Sequence, residues 1–299
     1  MRILILGGTR FVGRHIAQTA LDRGHDVTLF NRGRSDADAL PEATHLVGHR
    51  DKDLSALSEG AWDAESTRAW DATIDVSAYV AGQVRNAIGA LGDRAGHYTL
   101  ISTISVYRAD VPNRGFTEDA PLLDPAWDEE YDATKYGELT VGCELAAAEN
   151  APAGALIVRP GYVIGPRDNT ERFTHWVRAV AAGDPFVGPD PEQPLQCIDG
   201  RDLAAFTLNA IEQGTSGAFT VTAPQQPPTF AQVLDSVAAG LGVTLPEVTW
   251  SKASADLPLS SPRGGWPLMH ADVSKAVDAG LTWRPLTQTV RDLADFIGL

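Results

Sequence analysis

The stretch Arg2-Ile-Leu-Ile-Leu-Gly-Gly-Thr-Arg-Phe-Val-Gly13 decides the fold of this chain. Its apolar run without alternation, Ile3 to Leu6, predicts a strand covered on both faces, as in a parallel sheet. Gly7-Gly8 permits a sharp turn and the close approach of a ligand, and a helix is expected over about residues 11–23. The N-terminus of a helix offers free N–H groups and a positive dipole end to a pyrophosphate. The stretch therefore predicts a dinucleotide site, with an ordinary strand–turn–helix as the alternative.

Composition limits the class of protein. The 299 residues are 43% hydrophobic, which suits one large α/β domain and a smaller lobe. The formal net charge of −15 argues against non-specific nucleic-acid binding, because attraction to phosphates needs a basic face. The N-terminal apolar run is too short for a signal peptide, and no run approaches a membrane span. Two cysteines, Cys143 and Cys197, indicate a reduced compartment, so we expect a cytoplasmic protein without membrane or nucleic-acid partners.

The order of the elements predicts the fold class. Strands alternate with helices as far as residue 165, which indicates an α/β protein with a Rossmann-type doubly wound parallel sheet. We expect a dinucleotide-binding domain over residues 1–165. After Pro166 the pattern changes and sheet-forming regularity is lost. Residues 166–299 are therefore expected to form a smaller α/β substrate-binding lobe, with some segments returning to the first domain.

The residues after the second strand indicate which coenzyme is bound. In this fold the end of that strand, Asp26 to Phe30, faces the adenosine ribose. An acidic residue there would favour NAD, but the chain has Asn31, Arg32 and Arg34, and Arg10 in the glycine turn can reach the same place. Three guanidinium groups suit a 2′-phosphate, so we expect NADP(H), with NAD(H) as the alternative. Solvated arginines without a ligand are the other interpretation.

Later strand ends carry the candidate chemistry. Ser77 to Tyr79 follows the fourth strand, where open α/β sheets present ligand contacts. The fifth strand, His97 to Ile101, leads into Ser102-Thr-Ile-Ser-Val-Tyr107, whose hydroxyls are expected in the coenzyme crevice, although a plain Ser/Thr-rich turn is the alternative. Tyr131 and Lys135 are four residues apart, so we expect them on one face of a helix. A surface Tyr–Lys pair is the alternative for that motif.

Together these stretches resemble the short-chain dehydrogenase/reductase superfamily, specifically its extended, atypical branch of epimerase/dehydratase-like proteins. The resemblance covers nearly the whole chain. Its carriers are Gly7-Gly-Thr-Arg-Phe-Val-Gly13, Ser102-Thr-Ile-Ser-Val-Tyr107, Tyr131-x-x-x-Lys135 and Arg159-Pro-Gly-Tyr-Val-Ile-Gly-Pro166. Arg10 stands where a glycine is usual, as in an atypical subgroup of which some members lack the catalytic residues.

The resemblance implies roles for individual residues. Tyr131 is the expected general acid/base, Lys135 binds the nicotinamide ribose and Thr103 hydrogen-bonds the substrate oxygen. An unperturbed tyrosine has a pKa of about 10, so a phenol in this role needs a nearby cation. The expected coenzyme-binding residues are Gly7, Thr9, Arg10, Phe11, Val12, Asn31, Arg32, Arg34, Ser77, Ala78, Tyr79, Ile101, Lys135, Pro160 and Val163.

One difference from the family's dehydratases narrows the set of reactions that we expect. Sugar 4,6-dehydratases of this family carry an Asp-Glu pair directly after the catalytic Thr, whereas this chain has Ile104 and Ser105. Dehydration by that route is not expected, which leaves carbonyl reduction or epimerisation. We favour an NADPH-linked oxidoreductase. A nucleotide-sugar epimerase is the close alternative, and a non-catalytic NADP-binding regulatory or RNA-associated protein is the alternative of another class.

The sequence indicates the substrate less precisely than it indicates the coenzyme. We expect a small-molecule substrate, either sugar-nucleotide-like or another small metabolite, and no metal. The expected substrate contacts are Arg167, Arg172, Trp176, Gln196 and Trp266, with a place in the core as the alternative for the two tryptophans. The resemblance also suggests a homodimer through the helices expected at 83–91 and 131–149.

Overall fold

The computed structural model describes residues 1–34, 40–57, 70–112, 115–128, 130–252 and 256–299. The strands are β1 (Arg2–Leu6), β2 (Asp26–Asn31), β3 (Thr44–Val47), β4 (Ala72–Asp75), β5 (His97–Ile101), β6 (Ala155–Pro160), β7 (Tyr162–Ile164), β8 (Phe186–Gly188), β9 (Cys197–Asp199), β10 (Gly217–Val221) and β11 (Val248–Trp250). The helices are α1 (Phe11–Asp22), α2 (Ala81–Leu91), α3 (Tyr136–Asn150), α4 (Arg172–Ala182), α5 (Gly200–Glu212), α6 (Phe230–Leu241), α7 (Ser274–Asp278) and α8 (Leu286–Ile297).

The central feature is a seven-stranded sheet in the order β3-β2-β1-β4-β5-β6-β10. The neighbouring strands from β3 to β6 in this order pair in parallel. Leu6 at the end of β1 lies opposite Phe30 of β2 on one side and Asp75 of β4 on the other. The strand order reverses between β1 and β4, and ligands of such sheets bind outside the carboxyl ends of the strands at this point. The predicted Rossmann-type doubly wound fold is confirmed.

Two compact units make up the chain, and each is assembled from separate segments. The first comprises Met1–Arg108, Pro121–Arg159 and Ala204–Phe219, and the second comprises Ala109–Ala120, Pro160–Leu203 and Thr220–Leu299. In the first unit, α2 and α3 cover β5 with an apolar cluster that includes Val84, Tyr98 and Cys143. The predicted division of roles, with coenzyme binding in residues 1–165 and substrate binding in residues 166–299, stays a prediction.

The second unit has its own core. Phe173 and Trp176 of α4, Phe230 of α6 and Val290 of α8 are fully buried in one cluster. Two small parallel sheets accompany it, β7 with β9 and β8 with β11. The sequence pattern did not predict these sheets, because strands of three residues are too short for a period of two to register.

The start of α3 differs from the sequence expectation. A helix was expected from Tyr131, but α3 begins at Tyr136 and is preceded by a 3₁₀ turn over Ala133–Lys135. The Asp132 carboxylate accepts hydrogen bonds from the backbone N–H and hydroxyl of Thr134, at 2.8 and 2.7 Å, and so caps this separate turn. The prediction that Tyr131 and Lys135 share a helix face is therefore wrong, because Tyr131 lies before the helical segment.

The helices of the described ranges include none that is both long and apolar enough to cross a membrane.

Candidate active site

The glycine turn forms a cradle at the end of β1. Gly7 and Gly8 have φ angles of 115° and 92°, which side chains other than glycine rarely adopt. A Cβ on Gly13 would stand 2.7 Å from the Gly8 nitrogen, so only glycine lets α1 begin directly against the turn. Arg10 occupies the N-cap without a side-chain capping bond, which leaves N–H groups of the first helical turn for a ligand. The cradle fits the pyrophosphate of a dinucleotide.

A buried charged network supports the turn from the end of β4. Asp75 is fully buried and accepts two hydrogen bonds of 2.9 Å from Arg50 and one of 2.9 Å from the Tyr98 hydroxyl. The Arg50 guanidinium also donates to Ser77 Oγ at 2.8 Å, and this hydroxyl donates to the Leu6 carbonyl at 3.0 Å. Arg50 thus connects β4 to the last residue of β1.

Electrostatics in this network keep Asp75 ionised. Burial alone raises the pKa of Asp75, but the charge and hydrogen bonds of Arg50 outweigh burial and hold the pKa below its ordinary value. Burial and the neighbouring carboxylate raise the pKa of Tyr98 well above its ordinary value. Sequence reasoning missed Arg50, although an acidic residue ending an apolar strand is a signal that a cation lies nearby.

The last residue of β2 and the residues after it fit the ribose end of a coenzyme. The Asn31 Oδ1 accepts a hydrogen bond of 2.8 Å from the Gly33 N–H. Its Nδ2 is buried and finds no partner among the described residues, so it can donate to a ligand oxygen. Arg10, Arg32 and Arg34 are exposed, and none of them pairs with a described carboxylate. These groups match a phosphorylated ribose in charge and in donor type.

The buried ion pair of Arg159 and Glu144 holds both ends of the turn that follows Thr103. Arg159 donates to both carboxylate oxygens of Glu144, at 3.0 and 2.7 Å, and also to the Tyr107 hydroxyl at 2.9 Å. Ser102 Oγ donates to the same carboxylate at 2.5 Å. Ser102 and Tyr107 stand on either side of the 3₁₀ turn Ile104–Val106, so one ion pair anchors both ends of this segment.

Thr103 lies between Ser102 and this turn, and its hydroxyl is hydrogen-bonded to Ser105. Its Oγ1 accepts a hydrogen bond from the Ser105 N–H at 3.1 Å and donates to Ser105 Oγ at 3.2 Å. Burial raises the pKa of Tyr136 above its ordinary value against a lowering from Thr103, so this phenol is protonated near neutral pH. Tyr136 was assigned no role from the sequence.

Tyr131 and Lys135 stand at the surface of the first unit. Tyr131 is 52% exposed, and its ring meets the Tyr79 ring edge-to-face with centroids 5.1 Å apart. Lys135 Nζ lies 3.1 Å from a carboxylate oxygen of Asp128, and both side chains are about half exposed. The structure thus places Thr103 in a buried turn and the other two predicted catalytic residues on accessible surface, and the catalytic roles of all three stay predictions.

The remaining predicted coenzyme contacts divide between the units. In the first unit the glycine turn, the start of α1 and the segments at the ends of β4 and β5 carry Thr9, Phe11, Val12, Ala78 and Ile101. In the second unit Pro160 ends β6 and Val163 is central in β7.

Two predicted substrate contacts are core residues in the second unit. Trp176 is fully buried, and its indole N–H donates to the Pro258 carbonyl at 2.8 Å. Gln196 is also fully buried, with its amide donating to the carbonyls of Pro224 and Ala271 at 3.0 and 3.2 Å. In this conformation neither side chain has surface to offer a ligand, so both stabilise the fold.

The other three predicted substrate contacts are accessible or half-buried. Arg172 borders a cavity of about 740 Å³ at the start of α4, where its guanidinium lies 5.1 Å over the Tyr162 ring. Arg167 stacks on Phe296 at 5.3 Å. Trp266 donates to the Ser261 carbonyl at 3.1 Å.

Within the described ranges, His, Cys, Asp and Glu side chains form no cluster of three or more that could hold a metal ion.

The glycine cradle, the Rossmann sheet and the hydroxyl-bearing turn after β5 define a dinucleotide-binding enzyme of α/β class. A model of the NAD dependent epimerase/dehydratase family matches residues 3–221. The chain belongs to this family and is an NAD(P)-dependent enzyme of the extended short-chain dehydrogenase/reductase type.

Known proteins resemble this chain in sequence or in fold. The chain is 25% identical over its whole length to a chloroplast stem-loop binding protein of Arabidopsis thaliana, and covers 79% of that protein. It is similar in structure to UDP-N-acetylglucosamine 4-epimerase from Bacillus cereus, with a TM-score of 0.76, 16% identity and full coverage of both chains. Bordetella bronchiseptica WbmH, solved in complex with NAD⁺, has a TM-score of 0.75 and 17% identity, covering 99% of this chain and 98% of its own. At these identities the two structures establish the fold alone.

Proposed function

We propose that this enzyme is an NADP(H)-linked oxidoreductase that interconverts a carbonyl and an alcohol on a sugar-nucleotide-like or other small metabolite. The observation that supports it most is the end of β2, where the buried Nδ2 of Asn31 has no partner among the described residues. Arg32 and Arg34, which follow it, and Arg10 of the glycine turn are exposed and pair with no described carboxylate. A carboxylate that would repel a 2′-phosphate is missing from this position of the sequence.

The proposed mechanism assigns each group one task. When bound, the nicotinamide coenzyme supplies or accepts the hydride. In the direction of reduction, Tyr131 donates a proton to the carbonyl oxygen, and the Thr103 hydroxyl donates a hydrogen bond to that oxygen as negative charge develops on it. When the coenzyme binds, the Lys135 ammonium leaves the Asp128 carboxylate and donates hydrogen bonds to the nicotinamide ribose hydroxyls. Its positive charge then lies beside Tyr131. The accessible surface of Tyr131 and Lys135 supports this assignment.

Coenzyme preference tests the proposal. We expect the unmodified protein to bind NADPH about 10- to 100-fold more tightly than NADH, because charge-assisted hydrogen bonds to a phosphate contribute about 1.5–3 kcal/mol. Arg32→Asp should reverse the preference through repulsion of the 2′-phosphate. Fluorescence titration with each coenzyme measures both affinities. Arg291→Asp changes an exposed arginine of α8 and should leave both affinities unchanged. Equal affinities in the unmodified protein would contradict the NADP(H) assignment.

A nucleotide-sugar epimerase is the second candidate, favoured by the epimerases with the same fold. The two reactions differ in their use of coenzyme. A screen of UDP-sugars and small ketones, followed by NADPH absorbance and by product analysis, separates them. Net oxidation of NADPH supports the oxidoreductase, whereas sugar interconversion with coenzyme retained through purification identifies an epimerase.

RNA binding is the alternative of another class, because the Arabidopsis relative is named as a stem-loop binding protein. The net charge of −15 opposes binding to a phosphate backbone. We expect a labelled RNA stem-loop to bind more weakly than about 10⁻⁵ M at physiological salt, as judged by electrophoretic mobility shift. Tighter binding that persists in the Tyr131→Phe variant would support a non-catalytic role. A homodimer through α2 and α3 and a cytoplasmic location stay predictions.

A further inference from the structure

The ring of Tyr131 packs against the ring of Tyr79. The two rings meet edge-to-face, with centroids 5.1 Å apart and an angle of 63° between their planes. The residues are 52% and 47% exposed, so the pair lies at the surface of the first unit. Such contacts are favourable beyond the area that they bury, because the positive edge of one ring meets the negative face of the other. The orientation of the Tyr131 ring is therefore coupled to the position of Tyr79.

The backbone around Tyr131 does not belong to a helix or a strand. Tyr131 lies before the 3₁₀ turn Ala133–Lys135 and before α3, so the hydrogen bonds of those elements do not include it. A side chain in such a segment has several staggered rotamers to choose from, and a neighbouring group selects among them. Tyr79 is a neighbour of this kind.

Tyr79 belongs to an anchored segment between β4 and α2. Its backbone N–H donates to Gln83 Oε1 in α2 at 2.8 Å, and the Gln83 amide donates to an Asp51 carboxylate oxygen at 2.7 Å. Two residues before Tyr79, the Ser77 hydroxyl donates to the last backbone carbonyl of β1 at 3.0 Å. The chain is thus held on both sides of Tyr79, which gives Tyr131 a fixed surface to pack on.

The position of a proton donor decides how well it works. A general acid must lie within about 2.6–3.2 Å of the atom that it protonates, and a misplacement of about 1 Å can cost about 100-fold in rate. We propose that Tyr79 is a positioning residue whose ring orients the Tyr131 phenol for proton transfer to the substrate. This inference rests on the proposed function, in which Tyr131 is the proton donor. The sequence predicted a coenzyme contact for Tyr79 instead, and the two roles predict different effects of the same substitutions.

Two substitutions at position 79 test the role of the ring. Tyr79→Ala removes the ring and should lower kcat about 2- to 10-fold, the range expected for loss of one edge-to-face pair, with the affinity for NADPH unchanged. Tyr79→Phe keeps the ring and should retain kcat. Trp283→Ala is the matched control, because it removes an exposed ring of the second unit and should also retain kcat. Fluorescence titration gives the NADPH affinity of each variant, and the kinetic assays use the substrate with the highest turnover in the screen above.

NMR spectroscopy tests the contact itself in the protein without coenzyme or substrate. One aromatic ring shifts the signals of protons on a ring that it contacts. In protein carrying labelled tyrosine, the Tyr131 ring signals are identified by their loss in Tyr131→Phe. They should move in Tyr79→Ala and stay close to their original positions in Tyr79→Phe. Tyr131 signals that do not move in Tyr79→Ala would overturn the inference.

A double-mutant cycle separates positioning from a direct role of Tyr79. If Tyr79 acts through the Tyr131 phenol, adding Tyr79→Ala to Tyr131→Phe should lower kcat no further, since no phenol is left to orient. Additive losses would overturn the inference, as would an unchanged kcat in Tyr79→Ala or an equal loss in Tyr79→Phe. Weaker NADPH binding by Tyr79→Ala at unchanged kcat would identify a coenzyme contact instead. Failure of the proposed function is recognised separately, because Tyr131→Phe would then retain its activity.

Discussion

Replacing Tyr131 with phenylalanine is expected to lower kcat by about 10²- to 10⁴-fold, which is the usual contribution of a positioned general acid or base. The substitution removes the proton donor and retains the ring that meets Tyr79. Because Tyr131 is 52% exposed, thermal stability should change little. Stopped-flow measurement of NADPH oxidation, with circular dichroism as a check of folding, gives both quantities.

The control for this substitution lies in the same segment. Trp127 is also exposed, and its ring lies 5.8 Å from the Arg85 guanidinium. Trp127→Phe should retain full turnover and full NADPH affinity. If Tyr131→Phe turns over as fast as Trp127→Phe, Tyr131 does not transfer the proton, and the proposed mechanism is wrong.

Replacing Arg50 with methionine should destabilise the protein by about 3–5 kcal/mol at pH 7, because it leaves the buried Asp75 carboxylate without its cation. The glycine turn should also loosen, since Arg50 holds Ser77, and Ser77 holds the Leu6 carbonyl. NADPH affinity should therefore fall together with stability. Urea unfolding and fluorescence titration measure the two effects. Arg178→Met breaks an exposed pair with Glu171 and should cost less than about 1 kcal/mol.

The stability lost on replacing Arg50 with methionine should depend on pH in a defined direction. In the unmodified protein the pKa of Asp75 is held below its ordinary value, so the ion pair stabilises the fold above the unfolded pKa of about 3.9 and is lost as the pH falls further. Without Arg50, burial is opposed only by the hydrogen bonds from the Ser77 N–H and the Tyr98 hydroxyl, so we expect the pKa of Asp75 to rise. The stability deficit of Arg50→Met should then shrink as the pH is lowered from 7 towards 4. A deficit that is independent of pH, or no larger than that of Arg178→Met, would contradict this account.

Local patterns were enough to predict most elements of the first unit. β5 matches its predicted bounds, and β1 and α1 each differ by one residue at one end. The glycine turn was predicted because Gly7 and Gly8 permit a backbone that other residues avoid. The start of α3 was wrong because a helical spacing of four does not reveal that Asp132 caps a separate turn. That single capping interaction moves Tyr131 off the helix.

The site could be predicted only in part, for a related reason. Thr103, Tyr131 and Lys135 were assigned catalytic roles from short motifs, and these roles stay predictions. Trp176 and Gln196 were expected to contact substrate, yet packing in the second unit buries both completely. Residue type indicates what a side chain can bind, whereas burial decides whether a ligand can reach it.

The sequence by itself determined the strand–turn–helix that cradles a dinucleotide, the doubly wound order of strands and the set of hydroxyl, phenol and ammonium groups. These follow from backbone sterics and from apolar patterns within a few residues of one another. Only the tertiary structure decided that Arg50 pairs with Asp75, 25 residues away, and that Arg159 and Glu144 bracket the Thr103 turn. Such pairings depend on burial, because a charge removed from water is destabilising unless it is paired with an opposite charge. Which residue supplies that charge depends on the segments that the fold brings together.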